Sequence, residues 1–280
     1  MLLLGSSRVL LEKGLSESLA GRFEEIRMTH WSYQEMKECF GFTLDQYIFY
    51  GGYPGAAPLI HDEDRFSQYI QSAINEATIN KDILMDTPIS KPALLRQTFE
   101  LGAAYSGEIL SLNKMLGSLQ DAGNTVTLAS YINLLNESGL LCGLQKYSID
   151  LARRRASIPK LQVYNNALKM VYSPLTFEEV LVDRKSWGRS SESCIGAYLV
   201  SQSFVHRFEV FYWRERDDEV DFILRKKSSV IAIEVKSNAE KKTAGLEKFK
   251  QLFQPNKAFI VGDGGISIED FLSMDIRKLF

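Results

Sequence analysis

Two acids and a lysine stand close together in the stretch FEVFYWRERDDEVDFILRKKSSVIAIEVKS, residues 208–237. Phe208–Arg216 is rich in aromatic and β-branched residues and reads as a strand, ended by a tight turn at Asp217-Asp218. Glu219–Arg225 alternates as a second strand, Lys226–Ser229 turn, and Val230–Lys236 is a third. Alternation puts Val220, Phe222 and Leu224 on one face of the middle strand and Asp221 on the other. In the third strand Ile231, Ile233 and Val235 share a face, which leaves Glu234 and Lys236 together opposite. Paired carboxylates suit a hard cation such as Mg²⁺ or Mn²⁺, which takes oxygen ligands, water and substrate phosphate. An adjacent lysine can orient an attacking water or balance charge on a pentavalent phosphate. The alternative is an amphipathic sheet with a solvent-side ion pair.

The arrangement Asp221…Glu234-Val235-Lys236 resembles the core motif of the PD-(D/E)xK nuclease superfamily, in which a hairpin presents an Asp and then Glu-x-Lys. That family often adds a Glu from a preceding helix. Glu192 in WGRSSESCIGAYLVSQ matches it, at the head of a helical stripe through Ile195, Tyr198 and Leu199. The resemblance implies Glu192, Asp221, Glu234 and Lys236 as catalytic residues, with Asp221 and Glu234 as ligands of Mg²⁺ or Mn²⁺.

Composition bounds the rest. The chain of 280 residues is 45% hydrophobic and 24% charged, which suits a soluble protein of roughly two domains or more. A net charge of −2 excludes a polybasic nucleic-acid binder, so any basic patch is local. Cys39, Cys142 and Cys194 are widely spaced, in no metal pattern, and fit a reducing cytoplasm. No apolar run reaches membrane-spanning length, and MLLLGSSRVLL lacks the basic leader of a signal peptide. The expected setting is cytoplasmic, with no membrane.

The run LLLGSSRVLLEKGLSESLAGRFEEIRMTHWSYQEM resembles the tail of the AAA+ core in a large prokaryotic family of ATPases that carry a C-terminal domain of unknown function, 4143. There a strand ending in T-G-S-S supplies the sensor-1 polar group, and the Arg of L-A-G-R is a candidate arginine finger. Carried over, these are Ser6 or Ser7, with Leu4 in place of the Thr, and Arg22. Arg22 also reads as a cation at a helix terminus. No G-x-x-x-x-G-K-[ST] loop and no acidic Walker B strand end is present, so ATP is not expected to bind this chain alone. The chain therefore reads as the C-terminal part of a longer ATPase.

Ser32–Glu35 is a capping box opening a helix that Gly41 closes. GGYPGA at residues 51–56 has no following Lys-Ser/Thr and reads as a helix–helix turn rather than a phosphate loop. Glu63–Leu84 is a long amphipathic helix with Phe66, Tyr69, Ile70, Ala73, Ile74 and Ala77 as its core stripe. Three shorter helices follow, one capped by Ser90 and entered at Pro92, then Leu112–Leu119 and Thr127–Ser138. Strands Leu140–Ser148 and Ile158–Tyr164 then flank Arg153-Arg154-Arg155.

Helices followed by a hairpin spell a winged helix. Residues 140–170 hold six basic side chains against Asp150 alone, so Arg153, Arg154, Arg155 and Lys160 are candidate contacts to a nucleic-acid backbone. Packing against protein is the other reading of that unit. After it, helix, three strands, helix and strand give the order of a restriction-endonuclease-like core. The fold class expected is α/β, a mixed α+β multidomain chain. It comprises an AAA+ core remnant (1–31), a helical lid (32–88), a winged helix (89–160) and a nuclease-like domain (161–280). The function expected is Mg²⁺-dependent hydrolysis of nucleic-acid phosphodiesters, DNA first. The alternative is a non-catalytic binding module that keeps the nuclease fold for interaction. The missing ATPase portion and a second copy of the chain are the other expected partners.

Overall fold

The computed structural model describes Glu24, Ile26 and residues 28–85, 87–120, 123–237 and 244–280. Ser6, Ser7 and Arg22, and with them the expected ATPase core strand, lie outside the described residues. The fold class is mixed α/β, built on one six-stranded sheet.

Helix α1, Tyr33–Phe40, opens on the capping box of Ser32 and Glu35 and ends at Gly41 in the left-handed region. In α2, Leu44–Tyr50, Thr43 and Gln46 form a second box. Gly51 then turns the chain at φ +68°, where a Cβ would lie 1.9 Å from Asn165 Oδ1, and Pro54 starts a short 3₁₀ turn. The GGYPGA stretch is thus a helix–helix connection.

The long helix expected next begins as α3, Glu63–Tyr69, and continues through π-helical turns at Ile70–Glu76 and Ile79–Leu84. Wider π turns slip the buried stripe by one residue. Phe66, Ile70, Ile79 and Ile83 are buried together with Asn75, whereas Ala73 is exposed. The 3.6-residue stripe expected through Ala73 and Ala77 is corrected accordingly.

Next come α4 (Pro92–Ala104), α5 (Leu112–Ser118) and α6 (Thr125–Glu137). Ser111 and Asn124 cap α5 and α6 through their side chains, but Ser90 does not cap α4, whose N-cap position is Lys91. Strand β1, Leu141–Lys146, pairs antiparallel with β2, Lys160–Val163. Between them Arg153–Arg155 belong to a helical turn, α7 (Leu151–Arg155), capped by Asp150. After β2 come α8 (Ala167–Met170), α9 (Phe177–Val182) and the 23-residue α10 (Arg184–His206). The meander is β3 (Glu209–Glu215), β4 (Asp218–Lys226) and β5 (Ser229–Lys236). Helix α11 (Ala244–Phe253), strand β6 (Lys257–Gly262) and α12 (Ile268–Ser273) complete the fold.

The strand order is β2-β1-β3-β4-β5-β6, with β1–β3 and β5–β6 parallel and the other pairs antiparallel. The hairpin expected as a wing is the edge of the same sheet, and the expected boundary at residue 160 cuts into β2. One continuous core includes Tyr33 of α1, Ile195 and Leu199 of α10, Phe222, Leu224, Ile231 and Ile233 of the sheet, and Leu279 near the C-terminus. The opposite sheet face carries Tyr147, Phe211, Trp213, Val220, Ile223 and Ala232 under Leu246 and Phe249 of α11.

Candidate metal centre

Pairing between β4 and β5 runs from Lys226/Ser229 to Phe222/Ile233 and stops there. Beyond that point β4 continues against β3 as far as Asp218, and β5 continues against β6 as far as Lys236. The two central strands therefore part, and Asp221, Glu234 and Lys236 lie at the fork.

A bulge aims the first of them. Phe211 pairs with Ile223 and Trp213 with Val220, so Tyr212 opposes both Asp221 and Phe222. The extra residue resets the alternation: Val220 joins Ile223 on the α11 face, while Phe222 and Leu224 face α10. Strict alternation puts Val220 with Phe222, and the bulge corrects it. Asp221 turns into the fork, where its Oδ2 accepts a hydrogen bond from the Val235 backbone N–H at 2.7 Å. Along β5 the alternation holds, with Ile233 and Val235 in the larger core and Glu234 and Lys236 outside it.

Small residues on α10 let the helix approach the sheet and bring Glu192 to Lys160. Ser190, Ser191 and Ser193 are buried on its inner side. At Gly196 a Cβ would meet Gln162 Oε1 at 2.1 Å and Phe222 Cζ at 2.9 Å. The link between Glu192 and Asp221 is Lys160. Strand β2 is covered on both faces: Leu161 and Val163 join the larger core, while Gln162 donates to the Ser193 carbonyl of α10. Lys160, two residues before Gln162, is fully buried on the α10 side. Its Nζ lies 2.6 Å from Glu192 Oε1, 3.4 Å from the Asp221 carbonyl oxygen, 3.5 Å from Glu219 Oε1 and 3.7 Å from Asp221 Oδ1. Burial alone would lower its pKa, but the carboxylates of Glu192, Asp221 and Glu219 outweigh it and hold the ammonium above its usual value.

The electrostatics of the two fork acids run the other way. Burial, followed by the charge of Glu192, raises the Asp221 carboxyl above the usual carboxylate range despite Lys160 and the Val235 N–H. Burial and then the Asp221 charge raise Glu234, with Lys236 opposing. Glu234 Oε2 is buried and accepts no hydrogen bond. A buried carboxylate oxygen without a partner destabilises the fold unless something cationic or protic meets it. Lys236, on the same strand, is only 5% exposed.

Among the described residues, no three His, Cys, Asp or Glu side chains form a set able to hold a metal ion. The fork instead offers two carboxylates, a donor set that fits Mg²⁺ or Mn²⁺ completed by water and substrate oxygens. Cys142 and Cys194 take no part: both thiols are buried, which pushes them up to about 12.

The expected basic wing is largely dismantled by the same packing. Lys160 is inside the site. Arg154 is buried too, donating to the Ser148 carbonyl and stacking over the Phe211 ring. Lys169 donates to the carbonyls of Ser106 and Arg189, and burial lowers it to about 8. Arg153 and Arg155 remain exposed. Sequence reasoning placed Lys160 among the wing cations and missed Glu219, which also reaches its ammonium. Asn166 ties α2 to α10 by donating to the carbonyls of Ile48 and Ser190.

Two family models match the chain. Residues 41–178 match a domain of unknown function, DUF8612, and residues 187–272 match a second one, DUF4143. The first match holds β1, β2 and therefore Lys160, and the second holds Glu192, Asp221, Glu234 and Lys236. The parallel pairing of β1 with β3 joins the two in one sheet. No curated protein and no solved structure matches the chain. No described helix is long and apolar enough to cross a membrane.

Proposed function

We propose that the chain is a metal-dependent phosphodiesterase acting on nucleic acid, with the fork between β4 and β5 as its site. One observation carries the reading: two half-buried carboxylates act on one another at the fork, one with a buried, unpartnered oxygen, beside a buried lysine. Such an arrangement is unfavourable in isolation, and sites of this kind gather where a ligand relieves them.

Asp221 and Glu234 would hold Mg²⁺ or Mn²⁺. When bound, such an ion supplies Lewis-acid polarisation of the phosphate and a more acidic water. The Val235 N–H fixes the Asp221 carboxylate, and Lys160 fixes Glu192 across from it. Lys236 would bind a phosphate oxygen and offset the charge that grows on it as water adds and the ester P–O bond breaks. Arg153 and Arg155 are the exposed cations available to a nucleic-acid backbone, DNA being the first substrate to test. DUF4143 is typically found with AAA-type ATPase domains, which supports work beside an ATPase or a second copy of the chain.

A second reading, a binding module that kept the fold without catalysis, draws on Lys160, which already neutralises Glu192. Incubating labelled DNA and RNA with the protein in Mg²⁺, Mn²⁺ or EDTA tests the two. Metal-dependent cleavage by the parent, lost in Asp221→Asn and Lys236→Ala, supports hydrolysis. Retained binding with no cleavage under any metal favours the second reading.

A further inference from the structure

Lys160 is the least expected member of the site. Its ammonium is surrounded by four oxygens from three acidic residues on α10 and β4, at 2.6 to 3.7 Å. The Phe222 ring lies 5.0 Å away, so the cation rests between carboxylates and an aromatic face. Oxygen ligands converging from two elements are what a hard cation would use, and here an ammonium uses them. The side chain is 0% exposed and held under α10, so it cannot swing into water without lifting that helix.

We propose that the Lys160 ammonium is the resident cation of this site, standing between Glu192 and Asp221 where a second divalent ion would otherwise bind. The site then admits one metal ion, at Asp221 and Glu234. The inference rests on the reading of the fork as a metal centre. It goes further by making Lys160 the residue that sets how many ions enter. Charge favours the same limit. Glu192, Asp221 and Glu234 face Lys160 and Lys236, while Glu219 is shared between Lys160 and Arg214. One divalent ion leaves that group near neutrality, and two would leave it strongly positive. Lys160 is therefore a positioning residue: it locks Glu192 and withholds it from metal.

Isothermal titration with Mn²⁺ of the parent, Lys160→Met, Lys160→Gln and Lys160→Arg tests this directly. Met and Gln fill the space without the charge, and Arg keeps the charge. One ion per chain in the parent and in Lys160→Arg, with a gain of one ion in Lys160→Met or Lys160→Gln, supports the proposal. Two ions in the parent, or equal stoichiometry in all four proteins, overturns it. If the parent binds none and Lys160→Met binds one, the resident-cation role stands and the phosphodiesterase reading falls. Should neither uncharged variant fold without metal, refolding in excess Mn²⁺ decides. Recovery of folded protein only with the ion supports the proposal, and no recovery overturns it.

Discussion

Ionising the fork is the perturbation with the largest effect that this geometry supports. Asp221 and Glu234 are both held above the usual carboxylate range, first by burial and then by neighbouring acids. A group whose folded pKa is raised holds its proton more tightly in the folded state than in the unfolded state. Its stabilising contribution is complete below the unfolded value of about 4 and is lost as pH rises through the raised value. The metal-free protein is therefore expected to lose stability from mildly acidic to mildly alkaline pH. Each tenfold gain in proton affinity on folding corresponds to about 1.4 kcal/mol, which sets the scale on which the slope is read. Asp221→Asn removes the interaction and should flatten that slope while leaving the fold intact. Mn²⁺ opposes the loss, because it binds only the folded, ionised fork. At a hundred times Kd it adds about 2.7 kcal/mol, or roughly 5 °C in Tm for a chain of this size. Thermal melts across that pH range, with EDTA or Mn²⁺, read both effects. A parent indifferent to Mn²⁺ at alkaline pH, with the same pH slope as Asp221→Asn, would refute the reasoning.

Other consequences follow from the packing. Gly196→Ala drives a methyl into Gln162 and Phe222 and should destabilise by about 1–3 kcal/mol in urea unfolding. The pair Arg153→Ala and Arg155→Ala should weaken nucleic-acid binding and reduce the log–log salt slope by up to about two units, with unchanged Tm. Arg154→Ala should do the reverse, lowering Tm through lost packing on Phe211 with little effect on the salt slope.

Much of the architecture was legible in the sequence, for local reasons. Alternation and turn residues located β3, β4 and β5, and capping boxes located α1. Alternation put Glu234 and Lys236 on one face of β5 and set Asp221 apart on β4, whereas Glu192 entered through the resemblance to the nuclease motif. What escaped was set by contacts distant in sequence. The bulge at Asp221 depends on how β4 pairs with Tyr212, and nothing in the alternation of β4 reveals it. Lys160 counted as a surface cation because a charge count over residues 140–170 cannot show that α10 covers β2. Its alternation with Leu161 was the available signal, but on an edge strand the polar face ordinarily meets water. Arg154 was misplaced for the same reason, since its two neighbours are exposed and it alone turns inward.

The proposed chemistry depends on a metal ion at the fork, between the carboxylates of Asp221 and Glu234. Soaking crystals in Mn²⁺ and measuring anomalous scattering at the manganese edge tests it most directly. One anomalous peak between the carboxylates of Asp221 and Glu234, with Lys160 still bonded to Glu192, is the result this account predicts. A featureless fork at saturating Mn²⁺, in protein that remains folded, would contradict it.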